Sequence, residues 1–169
     1  LRHSSRQSIE GVNDINEPIY FTQDQFTIEP FQERFDNLCC GYVFNIDAQD
    51  YNRKFVIVTE GQFDAIAIDG VAIMTNEPNE AQVARINALA REVIVVPDKD
   101  RPGAKMLKAA IDNGWSASSP PWSDDIKDVA DAVKKYGRLY VLTTILHYRV
   151  SGEIKINLMK KKLEALKDD

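Results

Sequence analysis

A chain of 169 residues with 44% hydrophobic composition can bury one good core, with room for a small appended subdomain. No run approaches the ~18 consecutive apolar residues of a membrane span, and the polar opening "LRHSSRQSIEGVNDINEP" has no signal-peptide pattern. A net charge of −5 argues against a free-standing duplex-DNA binder, because phosphate neutralisation supplies most non-specific affinity, so any grip on nucleic acid must be local or lie elsewhere.

Residues 1 to 50 are expected to form a mixed, turn-rich segment leaning on the main domain. Asn13, Asp14, Asn16 and Pro18 punctuate it, and only "PIYF" and "GYVFNI" are strand-like. The start at Leu1 rather than Met suggests a piece of something longer. Cys39 and Cys40 are adjacent, which suits neither a zinc knuckle nor an ordinary disulfide. With His3 and His147 the only histidines, no zinc site is expected in this chain, and the cysteines read as reduced small hydrophobes of a cytoplasmic protein.

From residue 54 the pattern becomes regular. "KFVIVT" predicts a buried strand, "QFDAIAID" a short helix closed by Gly70, and "VAIMT" a second strand. "NEAQVARINALA" predicts a helix with Val83, Ile86, Ala88 and Leu89 on its apolar face, and "EVIVVP" a third strand. "AKMLKAAIDNG" is a helix closed by Gly114, and "SASSP" a weak fourth strand. "DIKDVADAVKKYG" is a helix ending at Gly137 with Val129, Ala132 and Val133 inward. Residues 139 to 167 read as two more helices, the last carrying Met159, Leu163 and Leu166 on one face. Strands alternating with short helices imply an α/β fold, a four-stranded parallel sheet with helices on both faces. The expected division is an N-terminal segment 1–50, a core 51–138 and a C-terminal helical extension 139–169.

Two inner strands end in acid. "VIVTEG" delivers Glu60 and Gly61; "VIVVPDKDRPG" delivers Asp98, Asp100 and Gly103. Ligands of a parallel sheet bind beyond the carboxyl ends of its strands, so these acids share one rim. Asp98 and Asp100, two apart, would point the same way in an extended segment and share a cation. Such hard oxygen ligands suit Mg²⁺ or Mn²⁺ rather than zinc. Gly61 and Gly103 would let phosphate approach backbone N–H groups, with Arg101 adding a positive charge. Each acid taken singly reads as a helix cap; together, at equivalent ends of two strands, they favour a metal site.

These residues resemble the Toprim family. "EGQFDAIA" is similar to its EGxxD signature, and "PDKDRPG" to its DxD signature with the primase-type continuation. "KDVADAVKKYG" is similar to the segment that follows in primases, and bacteriophage-encoded Toprim DNA primases give the strongest impression. The resemblance covers residues 54 to about 138 well, the tail more loosely, and "GYVFNIDAQ" in the first fifty. It implies that Glu60, Asp98 and Asp100 are the catalytic, metal-binding acids of a two-metal site, with Asp128 as a later ligand and Asp64 a supporting acid. Ala130 stands where primases often carry a second acid, and Pro102 where a small residue is usual.

The activity implied is synthesis of short RNA primers on a single-stranded DNA template from NTPs. A replicative helicase and an upstream zinc-binding and basic region would be partners, in a bacterial or phage-infected cell. The same site using water gives a Toprim nuclease, and a degenerate version would be a non-catalytic interaction module; the retained acids argue against the last.

Overall fold

The structure, a computed structural model, describes residues 9–12, 18–20, 41–49 and 53–166. The expectations for Cys39, Cys40 and His3 lie outside the described residues. The chain divides into two compact units, residues 1–39 and 40–169. In the first, β1 (Ile9–Val12) pairs antiparallel with β2 (Pro18–Tyr20), an interval that includes most of "PIYF".

The second unit carries the alternating pattern. β3 (Phe55–Thr59) leads through α1 (Gln62–Ile68) to β4 (Val71–Ala72), then through α2 (Glu80–Asn87) to β5 (Glu92–Val95). There follow α3 (Gly103–Asp112), β6 (Ser116–Ser118), α4 (Val129–Tyr136), α5 (Arg138–His147), β7 (Arg149–Val150) and α6 (Glu153–Glu164). The sheet order is β4-β3-β5-β6-β7. The first four strands are parallel, as the sequence predicts. A fifth, β7, runs antiparallel against β6 and was not anticipated, since two residues between helices carry no periodic signal.

The inner strands show why their sequences are apolar throughout. Val56, Val58, Val93 and Val95 face one core with Ile86, Met106 and Trp115. Ile57, Ile94 and Val96 face the other with Ile68, Trp122, Val129, Val141 and Ile145. Successive side chains of a strand point to opposite faces, so a strand covered by helices on both sides cannot alternate with polar residues. A third cluster joins α3 to α6 through Ala104, Leu107, Ile156 and Leu163.

Several local expectations are corrected. "GYVFNI" does not form a strand: Phe44 makes an isolated antiparallel bridge to Ala72, and residues 46–48 form a 3-10 turn. Asp69, not Gly70, takes the left-handed position that ends α1, at φ 57°. Gly70 is required instead by space, because a Cβ there would lie 2.7 Å from the Ile57 carbonyl oxygen. The helix expected from Asp125 starts only at Val129, because Asp128 caps it. On α6 it is Ile156 that is buried with Leu163, while Leu166 is exposed. Among the described residues no helix is long and apolar enough to cross a membrane.

Candidate functional site

The strand order places the site. From β3 the chain passes to β4 on one side of it, then returns to β5 on the other, so the winding direction reverses between β3 and β5. Helices leave in opposite directions there, which opens a crevice beyond the strands' carboxyl ends. β3 and β5 pair in register, Val58 opposite Val95, and the Val96 N–H continues the ladder to the Val58 carbonyl at 2.9 Å. Glu60 and Asp98 are the first acids beyond that register, so the topology delivers both to one crevice.

Their environments differ from those of ordinary surface acids. Glu60 Oε1 is buried without a hydrogen-bond partner. Burial above all, then repulsion by Asp100 and Asp64, pushes the Glu60 carboxyl up to about 7, although the Asp98 backbone hydrogen bond opposes this. Burial likewise pushes Asp98 up to about 8, with repulsion from Glu60, Asp64, Asp100 and Asp128 added. Five carboxylates therefore feel one another at this rim.

The other three acids are each committed to a helix start through one oxygen. Asp100 Oδ1 accepts from the Gly103 N–H at 2.8 Å, at the beginning of α3. Asp128 Oδ1 accepts from Asp131 N–H at 2.7 Å, at the beginning of α4. Asp64, 6% exposed, reaches across from α1 so that its Oδ1 accepts from Ala130 N–H at 2.8 Å. Its carboxyl is raised by burial, against the lowering effect of that bond. The capping role weighed for the strand-end acids thus holds for Asp100; Asp128 caps α4 as well, and Ala130 serves through its backbone N–H.

Residues 99–101 bend rather than run extended. Asp98 and Asp100 therefore do not share a face by strand alternation; Asp98 is half-buried and Asp100 exposed. The bend follows from Gly103, where a Cβ would stand 2.6 Å from the Asp98 carbonyl oxygen. Gly103 is buried and its N–H is taken by Asp100, so it is not a free phosphate donor as the sequence suggested. Gly61 makes room for a neighbour: a Cβ would meet Asp64 Oδ2 at 2.8 Å. Arg101 is exposed on the same bend.

Lys99 was missed by the sequence reading. Its Nζ donates to the carbonyls of Trp122 at 2.7 Å and Ser123 at 3.3 Å, and its N–H donates to the Lys127 carbonyl at 2.9 Å. It ties the bend between Asp98 and Asp100 to the loop leading into Asp128. A lysine between two aspartates was the available signal, but sequence alone does not show which way it turns.

Among the described residues, no group of three or more His, Cys, Asp or Glu side chains is placed to hold a metal ion as it stands. Two features of the rim nonetheless suit a hard divalent cation. A buried carboxylate oxygen without a partner and a cluster of mutually repelling acids are the features that such a cation would satisfy.

The fold and this rim define an α/β domain with an acidic crevice at its topological switch point. No family model matches the sequence, and no curated protein matches it. Solved structures do. The Aquifex aeolicus primase (zinc-binding and RNA polymerase domains) matches with TM-score 0.55 at 17% identity, over 75% of this chain and 34% of that one. A DnaG primase catalytic domain bound to single-stranded DNA matches with TM-score 0.55 at 16% identity, over 88% and 49%. A DnaG catalytic core matches with TM-score 0.53 at 16% identity, over 78% and 44%. The fold is that of primase catalytic cores, and the chain spans less than half the length of these three proteins.

Proposed function

We propose that this chain is the catalytic Toprim part of a DNA primase of bacteriophage type, joining NTPs into short RNA primers on single-stranded DNA. The observation that carries the proposal is the meeting of Glu60 and Asp98 at the switch point, with a buried carboxylate oxygen of Glu60 left without a partner. Glu60, Asp98 and Asp100 would hold a pair of Mg²⁺ or Mn²⁺ ions, with Asp128 contributing the oxygen that does not cap α4. When bound, such ions neutralise charge on the transferring phosphates and lower the pKa of the attacking 3′-hydroxyl.

The chain's own residues prepare the site. Asp64 fixes the start of α4 against α1 through Ala130, and Lys99 fixes the DxD bend against the loop before Asp128. Burial leaves Glu60 and Asp98 with carboxyls near neutral pH, so ligation must displace protons from them. A replicative helicase and a basic, zinc-binding region would complete the working protein.

The test is incubation with single-stranded template, NTPs and Mn²⁺, set beside incubation with labelled DNA alone. Oligoribonucleotides that disappear in Asp98→Asn support the proposal. Shortened DNA without RNA product would replace it with the nuclease reading.

A further inference from the structure

An open cleft of about 770 Å³ lies between the start of α3 and the face of α6, beside the acidic rim. Its polar lining is Asn76, Arg101, Lys105, Lys108, Lys160 and Glu164. Among the described residues four cations and one acid line it, in a chain whose net charge is −5. Arg101 directly follows Asp100, so the cleft begins where the acidic crevice ends. Lys105 and Lys108 stand one turn apart on α3, and α6 brings Lys160 against them from a segment more than fifty residues later.

We infer that this cleft is a track for the sugar–phosphate backbone of single-stranded nucleic acid running to or from the acidic rim. The inference rests on the function proposed above and names the surface that would hold the strand. Arg101, Lys105 and Lys108 follow at steps of four and three residues from the bend along α3, so these charges succeed one another away from the rim, which fits successive phosphodiesters better than one compact phosphate group. Two of the lysines have partners, Asp112 for Lys108 at 2.7 Å and Glu164 for Lys160 at 3.5 Å. Both are solvent-accessible i,i+4 pairs, which are weak enough to yield to a phosphate. Among the described residues that line the cleft none is aromatic, so what they offer a strand is contact to its backbone, without base stacking or base preference. Four contacts are also fewer than a duplex-binding site makes.

The experiment measures binding of a fluorescein-labelled oligo-dT of about 16 nucleotides to the 169-residue chain in EDTA, so that the metal site plays no part. The parent should bind weakly, losing about 50-fold in affinity between 50 and 200 mM salt, as four neutralised phosphates on a single strand imply. Lys105→Gln, Lys108→Gln and Lys160→Gln together should remove most of the low-salt binding and leave a salt response of about threefold, that of one contact. Lys54→Gln, Lys134→Gln and Lys155→Gln together make the same charge change on exposed lysines away from the cleft and should stay within about twofold of the parent. An oligo-dA of equal length should bind like oligo-dT.

The inference is overturned if the parent shows no salt-sensitive binding, if the two triple variants lose equally, or if the cleft variant binds as the parent does. It is also overturned if tripolyphosphate displaces the strand at equal phosphate concentration, which would assign the cleft to a nucleotide. Failure of the metal reading shows separately, as an unchanged Mn²⁺ response in Asp98→Asn, and leaves these measurements standing.

Discussion

Replacing Asp98 by Asn is nearly isosteric and removes one charge from the rim, so its effect should depend on pH and metal in a way that packing loss cannot imitate. In the folded protein the Asp98 carboxyl is pushed up to about 8 and that of Glu60 to about 7, against ordinary values of 3.8 and 4.5. A folded-state pKa above the unfolded one means that the fold holds protons the unfolded chain has released. Metal-free stability is therefore greatest below about pH 4 from this source, and falls as pH rises through 7 to 8. Because solvent reaches the rim and moderates both the burial penalty and the repulsion, the loss attributable to Asp98 is about 2 kcal/mol. An uncharged amide in its place has no proton to release and escapes that loss. The variant should match the parent at pH 4 and melt about 4–8 °C higher at pH 9 in EDTA, given the usual response of a domain of this size. Added Mn²⁺ at a hundredfold excess over its Kd should stabilise the parent by about 2.7 kcal/mol, a rise of about 5–10 °C, and the variant far less. Asp100→Asn should also lose the metal response, while keeping the Gly103 hydrogen bond through Oδ1 at a cost of about 0.5 kcal/mol or less. Thermal melts across pH, with and without Mn²⁺, read all of this. Equal Mn²⁺ shifts in parent and Asp98→Asn would refute the metal site, and a pH-independent difference would refute the repulsion.

Gly103→Ala should cost about 2–3 kcal/mol, because the new methyl meets the Asp98 carbonyl oxygen at 2.6 Å and neither backbone can retreat cheaply. Denaturant unfolding measures the cost, and a loss below about 0.5 kcal/mol would show that the bend is not held as described. Ile156→Ala should cost about 2–5 kcal/mol by opening a hole against Ala104 and Leu107, and deleting residues 151–169 should lower the melting temperature further. An unchanged melt after the deletion would rule out the packing role of α6.

The apolar runs at 55–58 and 93–96, and the helical spacing between them, pointed to a parallel sheet covered on both faces, since a strand apolar on both sides needs a layer over each. The same lines of sequence put Glu60 and Asp98 at the carboxyl ends of their strands. Short-range spacing could go no further. Spacing of two puts Asp98 and Asp100 on one face only in an extended segment; residues 99–101 bend, so the bend and not strand alternation sets where Asp100 stands. Spacing could not tell that Asp64 would seek the Ala130 N–H 66 residues away, or that Lys99 would turn from its flanking aspartates to the carbonyls of Trp122 and Ser123. Nor could it bring Lys160 beside Lys105. Secondary structure follows from neighbours along the chain, and so it was legible. Which carboxylate is capped, which is buried without a partner, and which cations line one cleft depend on segments that meet only when the sheet is closed by its helices.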